Sequence, residues 1–311
     1  MMKKILITGG TGFLGSHLTT VLKDNNFDFR SIGSDIYDLT KIEACFDVLN
    51  DSRPDIVIHL AALSGGIGIN RTEPEKFFHV NSLLVANMFK AVTDSGIKRM
   101  IYTMGGCSYP GNATSPINEK QMWEGYPQGE SVAYSSAKKM GIVAAEAYRH
   151  LGLETSVLVP GNMYGEFDNY SLANSHVIAA MIRKYVEATE NNQSEVKLWG
   201  SGKPVRDFVY AGDVAKIVAK VMLLDKLSGP VNISTSTSTS MSELAKIISE
   251  KCGFKGSTLW DATKPDGQMI KIFDNSYSKT LGLNCETSLE EGLGKTISWF
   301  RESRNLGGVR L

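Results

Sequence analysis

The chain has 311 residues, with 33 basic side chains balancing 33 acidic ones, and 42 % of its residues are hydrophobic. That balance excludes the basic field that nucleic acid or an anionic membrane requires, so an anionic ligand has to be met by a few placed cations. The four cysteines, Cys45, Cys107, Cys252 and Cys285, have no metal-type spacing, which argues against zinc and for a reducing compartment.

The opening "MMKKILITGG" has too short an apolar run for a signal peptide, and no stretch approaches a membrane span. A soluble, cytoplasmic chain is expected. Short β-branched runs then alternate with helical patterns, as in a parallel sheet covered by helices. Strands are predicted at 4–7, 27–32, 55–59, 99–103 and 154–159, and helices at 13–23, 41–50, 75–95 and 132–150. Leu83, Leu84, Met88, Ala91 and Val92 give the third helix an apolar face at helical spacing.

Past residue 159 the rhythm changes, and 160–207 mix Gly, Asn, Tyr and Trp around one helix near 176–189. Strands at 207–210 and 231–233 are expected to return to the main sheet, flanking a helix at 213–224. The run "STSTSTSMSELAKII" reads as a polar loop ending in a cap. Ser240 or Ser242 would cap a helix carrying Leu244, Ile247 and Ile248. The expected fold is α/β: a Rossmann-type doubly wound parallel sheet over 1–160, completed by roughly 207–235. A smaller discontinuous C-terminal lobe, 161–206 and 236–311, would take the substrate.

Chemistry begins at "ILITGGTGFLGSHL", where Gly9, Gly12 and Gly15 are spaced G-x-x-G-x-x-G between a strand and a helix. Glycines there let backbone N–H groups approach a pyrophosphate at the helix N-terminus. In "FRSIGSDIYDLT", Asp35 favours NAD and Arg30 favours the 2′-phosphate of NADP, and the sequence leaves both open. "IYTMGGCSYP" runs a buried strand into Gly105, Gly106 and Cys107, which is either a turn or the floor of a site. In "AYSSAKK", Tyr134 and Lys138 lie one helical turn apart on one face. An ammonium there would favour phenolate and tune the tyrosine for acid–base work near neutral pH.

With the glycine loop, "HLAA" (59–62) and Asn81, this pair resembles the extended short-chain dehydrogenase/reductase family. Five segments, "AALSGGIGINRTEP", "CSYP", "NSHVIAAMIRK", "LWGSGKPVRDFVY" and "KPDGQMIK", resemble the GDP-L-fucose synthase branch in the same order, over nearly the whole chain. That branch comprises GDP-4-keto-6-deoxymannose 3,5-epimerase/4-reductases. The resemblance implies NADP, with NAD as the alternative, a GDP-linked sugar substrate, and a homodimer formed through the helices at 75–95 and 132–150.

The same resemblance assigns the residues. Tyr134 would exchange a proton with the sugar oxygen and Lys138 would bind the nicotinamide ribose. Cys107 and His176 would move protons at the carbons beside the ketone, a task suited to groups that titrate near neutrality. Cofactor contacts would come from Gly9, Thr11, Gly12, Phe13, Leu14, Gly15, Asp38, Leu39, Leu60, Ala61, Ala62, Lys138, Pro160 and Asn162. Substrate contacts would come from Gly105, Ser108, Asn162, Lys184, Trp199, Arg206 and Lys271, with Arg206, Lys184 or Arg183 meeting the diphosphate.

One position departs from the pattern. The branch normally has Ser-Ser-Cys or Ser-Thr-Cys where this chain has Gly105, Gly106 and Cys107, and the first hydroxyl donates to the carbonyl being reduced. Losing such a donor costs on the order of 10²–10³ in rate. Thr103, Ser108 or a water would have to substitute, or the substrate carries a group that fills the space. The readings are therefore a full epimerase/reductase, a C4 reductase of a neighbouring deoxyhexose or heptose, and a redox-neutral epimerase or dehydratase. A non-catalytic dinucleotide-binding protein is a fourth, though it would have no use for Tyr134 and Lys138.

Overall fold

The computed structural model describes residues 3–224, 227, 229–264 and 266–311. Met1, Met2 and Pro265, which belong to two of the segments quoted above, lie outside the described residues, as do 225, 226 and 228.

The first half alternates strand and helix as its periodicity predicts. β1 (Ile5–Thr8), α1 (Phe13–Asp24), β2 (Phe29–Ile32), α2 (Ile42–Ser52) and β3 (Ile56–His59) lead to a short α3 (Ile67–Thr72). α4 (Pro74–Asp94), β4 (Arg99–Thr103), α5 (Val132–Arg149) and β5 (Glu154–Pro160) follow. Next come β6 (Asn162–Tyr164), α6 (Val177–Glu190), β7 (Glu195–Trp199), β8 (Val205–Arg206), β9 (Phe208–Tyr210), α7 (Ala211–Val221) and β10 (Pro230–Ile233). The chain continues through β11 (Thr239–Ser240), α8 (Met241–Cys252), β12 (Ser257–Asp261), β13 (Ile270–Lys271), α9 (Ser276–Thr280) and α10 (Leu289–Asn305).

Six strands form one parallel sheet in the order β10-β5-β4-β3-β1-β2. It is buried on both faces because its residues are apolar at successive positions, not alternate ones. Leu6, Val57, Met100 and Tyr102 pack under α2, α4 and α5. Ile5, Ile7, Ile56, Ile58 and Ile101 face the other way, onto α1 and α7. The order reverses between β1 and β3, which opens a crevice at their carboxyl ends, where sheets of this class take ligands.

Of the two strands expected to return to the sheet, only β10 does so, pairing with β5. β9 pairs instead with β6, as a separate two-stranded ribbon. A three-residue strand with Arg206 and Asp207 just before it has too little apolar surface to fill a central position, whereas pairing with β6 brings Asn162 beside Asp207. A third, separate apolar cluster draws on α6, α8, α10, β7 and β9, within and around the segments expected to form the lobe. Ser240, rather than Ser242, caps α8 by accepting from the Glu243 N–H at 3.1 Å.

Among the described residues, no helix is long and apolar enough to cross a membrane. All four cysteines are free.

Candidate active site

The glycine loop sits at the β1/β3 crevice. Gly9 has φ +69°, and a Cβ there would lie 2.7 Å from the backbone of Ala61. A Cβ on Gly15 would lie 2.2 Å from the Gly9 carbonyl oxygen. Both positions therefore require glycine for close backbone approach. Gly12 is the N-cap of α1 and offers no side-chain cap, which leaves the first N–H groups of the helix directed at an incoming anion. This cradle fits a dinucleotide pyrophosphate.

Around the cradle, Thr11 is exposed and Phe13, Leu60, Ala61 and Ala62 are half-buried. Leu14 and Leu39 are core residues, so only their backbones face the crevice. Asp38 is exposed, and its carboxyl is held below its usual range by the hydroxyl and N–H of Thr40. Arg30 donates to the Tyr37 hydroxyl at 3.0 Å. Asp35 comes back towards the loop: the Cβ direction of Gly33 meets both Asp35 Oδ1 and Thr11 Oγ1 at 2.4 Å.

α5 brings Tyr134 and Lys138 to the same edge. Lys138 is 3 % exposed, and its ammonium rests over the Tyr102 ring at 4.4 Å from the centroid. Burial pulls it down to about 7, with Cys107 opposing. Tyr102 is itself held by donating to the Lys138 carbonyl at 2.9 Å. Behind it, His59 bonds Thr8 Oγ1 at 2.7 Å and is kept neutral at about 3 by burial and then by Lys138.

The tuning expected for Tyr134 runs the other way. Burial pushes the phenol up, and a charge on Cys107 adds to it. Tyr134 is thus a protonated phenol at neutral pH, the state of a proton donor.

The Gly105–Gly106 corner follows β4. Gly106 is fixed by packing, since a Cβ would lie 2.4 Å from Phe273 Cζ. Gly105 is different: it has φ −104° and ψ 150°, a conformation open to any residue. Its Cβ would meet only Cys107 Sγ at 3.1 Å and Tyr134 Cε1 at 3.9 Å among side chains. Cys107 is half-buried at this corner, close enough that a negative charge on it would favour the protonated forms of Tyr134, Lys138 and Lys271 alike. Ser108 does not turn its side chain to the site: it is fully buried and donates to the Ser135 carbonyl at 3.2 Å.

His176 enters from the lobe as the N-cap of α6. Its Nδ1 lies 3.1 Å from each oxygen of Asp168, whose side chain is 4 % exposed against 44 % for the imidazole. The Asp168 charge raises the histidine above its ordinary value, against the effect of burial. The loop before α3 connects this segment to Tyr134. Gly66 donates to the Asn174 carbonyl at 2.9 Å, Asn70 donates to the Gly65 and Gly66 carbonyls, and a Cβ on Gly65 would lie 3.4 Å from Phe77. The Phe77 ring meets Tyr134 edge-on at 6.3 Å.

On the substrate side, Arg206 and Lys271 are register partners across β8 and β13. Lys271 is buried and depressed by that burial, with Cys107 favouring its charge and Arg206 opposing it. Arg206 is half-buried and donates to the Val205 carbonyl at 2.9 Å. Trp199 offers a 67 % exposed indole with the Lys264 ammonium 5.6 Å from its ring centroid. Lys184 donates to the Lys197 carbonyl at 2.8 Å, whereas Arg183 is spent on Glu187 and the Tyr170 carbonyl. Pro160 is buried at the end of β5, and Asn162 donates to the Asp207 carbonyl at 2.8 Å.

Two contributors had escaped the sequence reading. Asp168, eight residues before His176, has no spacing that announces the pair. Asp207 is a hub: its carboxylate accepts from Thr235, Ser236 and Phe273, and its own N–H donates to the Lys271 carbonyl at 3.2 Å. It thereby ties Asn162, Arg206 and Lys271 into one wall.

The family model described as "NAD dependent epimerase/dehydratase family" matches residues 5–234. The chain belongs to that family. Within it, the chain is 35 % identical over 307 residues to the putative GDP-L-fucose synthase 2 of Arabidopsis thaliana, covering 96 % of this chain and 92 % of that one. It is 30 % identical to the GDP-L-colitose synthase of Yersinia pseudotuberculosis, covering 97 % and 99 %. Among solved structures, a GDP-L-fucose synthetase from Naegleria fowleri bound to NADP superposes with a TM-score of 0.91 at 27 % identity, covering 99 % and 96 %. The epimerase/dehydratase family thus accounts for the cradle, the parallel sheet and the position of the site at its carboxyl edge.

Proposed function

We propose that this family member is an NADP(H)-dependent enzyme that inverts C3 and C5 of a GDP-linked 4-keto-6-deoxy sugar and reduces its C4 ketone. The observation that carries this reading is the corner where Cys107 meets Tyr134 and Lys138, beside the glycine cradle and walled by Lys271 and Arg206. Relatives that bear the names GDP-L-fucose synthase and GDP-L-colitose synthase over nearly the whole chain support the GDP-sugar, and the NADP-bound neighbour supports the cofactor.

When bound, the nicotinamide supplies a hydride to C4. Gly9, Thr11, Gly12, Phe13, Leu14 and Gly15 would hold its pyrophosphate end, with Asp38, Leu39, Leu60, Ala61, Ala62, Pro160 and Asn162 along the crevice and Lys138 at the ribose. Before reduction, the thiolate of Cys107 takes a proton from the carbon beside the ketone. The protonated His176, supported by Asp168, returns one on the opposite face. The protonated Tyr134 then gives its proton to the C4 oxygen. Arg206, Lys271 and Lys184 neutralise the diphosphate, and the exposed face of Trp199 offers a stacking surface.

The division into a cofactor part (1–160, with the 230–233 strand) and a substrate lobe belongs to the same proposal. So do a cytoplasmic setting and a homodimer. The exposed apolar side chains Phe78 on α4 and Met140 and Val143 on α5 suit a helical dimer interface.

The test mixes pure protein with NADPH and GDP-4-keto-6-deoxymannose in deuterated water. Expected are a steady loss of reduced-nicotinamide absorbance and deuterium at C3 and C5 of the product. Exchange without nicotinamide oxidation would make the chain a redox-neutral epimerase, and the absence of both changes would overturn the enzymatic reading.

A further inference from the structure

An oxygen that takes up negative charge during reduction needs more than one hydrogen-bond donor, and each is worth on the order of 10²–10³ in rate. Tyr134 is one donor, and the corner around it offers few others. Gly105 and Gly106 have no side chain. Ser108 is fully buried, with its hydroxyl spent on Ser135. Thr103 follows Tyr102 on β4 and so faces the opposite side of the sheet from α5, because successive strand residues alternate. Phe77 is apolar, and the Lys138 ammonium lies over the Tyr102 ring. Among side-chain atoms within 4 Å of the Gly105 Cβ position, the polar one is Cys107 Sγ, which occupies the space a side chain there would enter, at 3.1 Å.

We propose that the Cys107 thiol is the second hydrogen-bond donor to the oxygen that Tyr134 protonates, so that one side chain serves epimerisation and then reduction. This rests on the function proposed above. The proton count supplies the order of events. When thiolate removes the C–H proton and the His176 imidazolium protonates the enolate on the other face, one proton has passed in effect from His176 to Cys107. The pair ends each inversion as neutral imidazole and neutral thiol, and before the second inversion the thiol releases its proton to solvent and the imidazole takes one up. After the last inversion Cys107 therefore carries the S–H that the reduction step uses. In that step it only shares this hydrogen. The proton gained by oxygen comes from Tyr134, which is reprotonated from solvent. The ketone would thus be reduced preferentially after inversion, because a thiolate beside the developing alkoxide repels it.

The geometry also provides a rescue. Gly105 has a backbone conformation that serine adopts freely, and its Cβ would lie 3.9 Å from Tyr134 Cε1. The one tight contact, with Cys107 Sγ, disappears when the sulfur is removed.

The experiment uses the full chain, with a GDP-4-keto-6-deoxy sugar already inverted at C3 and C5, so that hydride transfer needs no prior exchange. Cys107→Ala is expected to slow its reduction by about 10²-fold and to abolish solvent deuterium exchange on the uninverted ketone. Cys107→Ser keeps a donor but is a poor base, so exchange is lost while reduction stays within about tenfold of wild type. The double variant Gly105→Ser/Cys107→Ala is expected to regain reduction by at least about tenfold, with exchange still absent. Isotope-edited infrared on the cofactor-free complexes gives a second readout: the bound C4 carbonyl stretch lies lower in wild type and Cys107→Ser than in Cys107→Ala.

Wild-type reduction by a Cys107→Ala protein that melts and binds NADPH normally would overturn the proposal. So would an unchanged carbonyl stretch, or no gain from Gly105→Ser. A wild-type protein that neither exchanges nor reduces any 4-keto nucleotide sugar removes the proposed function itself, and the role of Cys107 with it.

Discussion

Two glycine-rich corners stand at the same edge of the sheet and use the missing side chain in opposite ways. In the loop after β1, backbone atoms fill the space where Cβ atoms would be, at 2.7 Å for Gly9 and 2.2 Å for Gly15. After β4, Gly106 is likewise filled, by Phe273, but Gly105 faces only a sulfur and the edge of Tyr134. The first corner is glycine by steric necessity and shapes a cradle. The second contains a glycine that sterics do not demand, next to the thiol to which we assign proton transfer. A repeated residue type at matching places in a fold thus carries two different meanings, and only its neighbours distinguish them.

The largest expected effect probes what Gly105 faces. Tyr134→Phe removes the phenolic proton and is expected to lower hydride transfer by about 10³–10⁴-fold, while NADPH titration by fluorescence remains near wild type. Unchanged turnover would take Tyr134 out of the chemistry and leave the open side of Gly105 without a purpose.

Next comes Gly15→Ala, whose methyl cannot coexist with the Gly9 carbonyl. Overpacking of about 1–3 kcal/mol, expressed in the bound geometry, corresponds to roughly 10–100-fold weaker NADPH binding in the same titration. Binding that survives intact would mean the cradle is not where the dinucleotide sits.

A matched pair sharpens the contrast further. Gly106→Ala is expected to cost about 1–3 kcal/mol in denaturant unfolding through its clash with Phe273, whereas Gly105→Ala stays within about 1 kcal/mol of wild type. Equal losses would erase the distinction between the corners.

The smallest effect is a pH dependence. Lys138 is pulled down to about 7 by burial, so its ammonium is present below that pH and is lost as pH rises through it. Ribose hydroxyls favour the ammonium, so NADPH binding above pH 7 must take up a proton, and affinity falls by at most tenfold per unit there. Titration calorimetry in two buffers of different ionisation enthalpy measures that uptake. None at pH 8 would separate Lys138 from the cofactor.

Much of this molecule was legible in one dimension. β1, β2, β3, β4, β5 and the helices between them follow from apolar runs and 3.6-residue periodicity, because each buries its own local pattern. The lobe was much less so. β7 and β13 alternate exposed and buried residues, β12 carries exposed and half-buried ones, their partners lie far along the chain, and β9 left the main sheet for β6 because pairing was settled by tertiary neighbours. The site divides in the same way. Cys107, Tyr134, Lys138 and His176 stood out by motif, whereas Asp168 and Asp207 act across distances that no spacing encodes.

By itself, then, the sequence determined a parallel, doubly covered sheet, a dinucleotide cradle and the chemical types available at its edge, since these depend on local periodicity and residue identity. Tertiary structure alone decided which groups meet and what state they hold. It turned Ser108 into the core, sent Thr103 to the far face and set Asp168 against His176. It also surrounded the half-buried Tyr134 with groups that push its phenol up, because desolvation depends on every surrounding atom and not on one neighbour four residues away. The same packing left Cys107 Sγ as the polar side-chain atom nearest the Cβ position of Gly105.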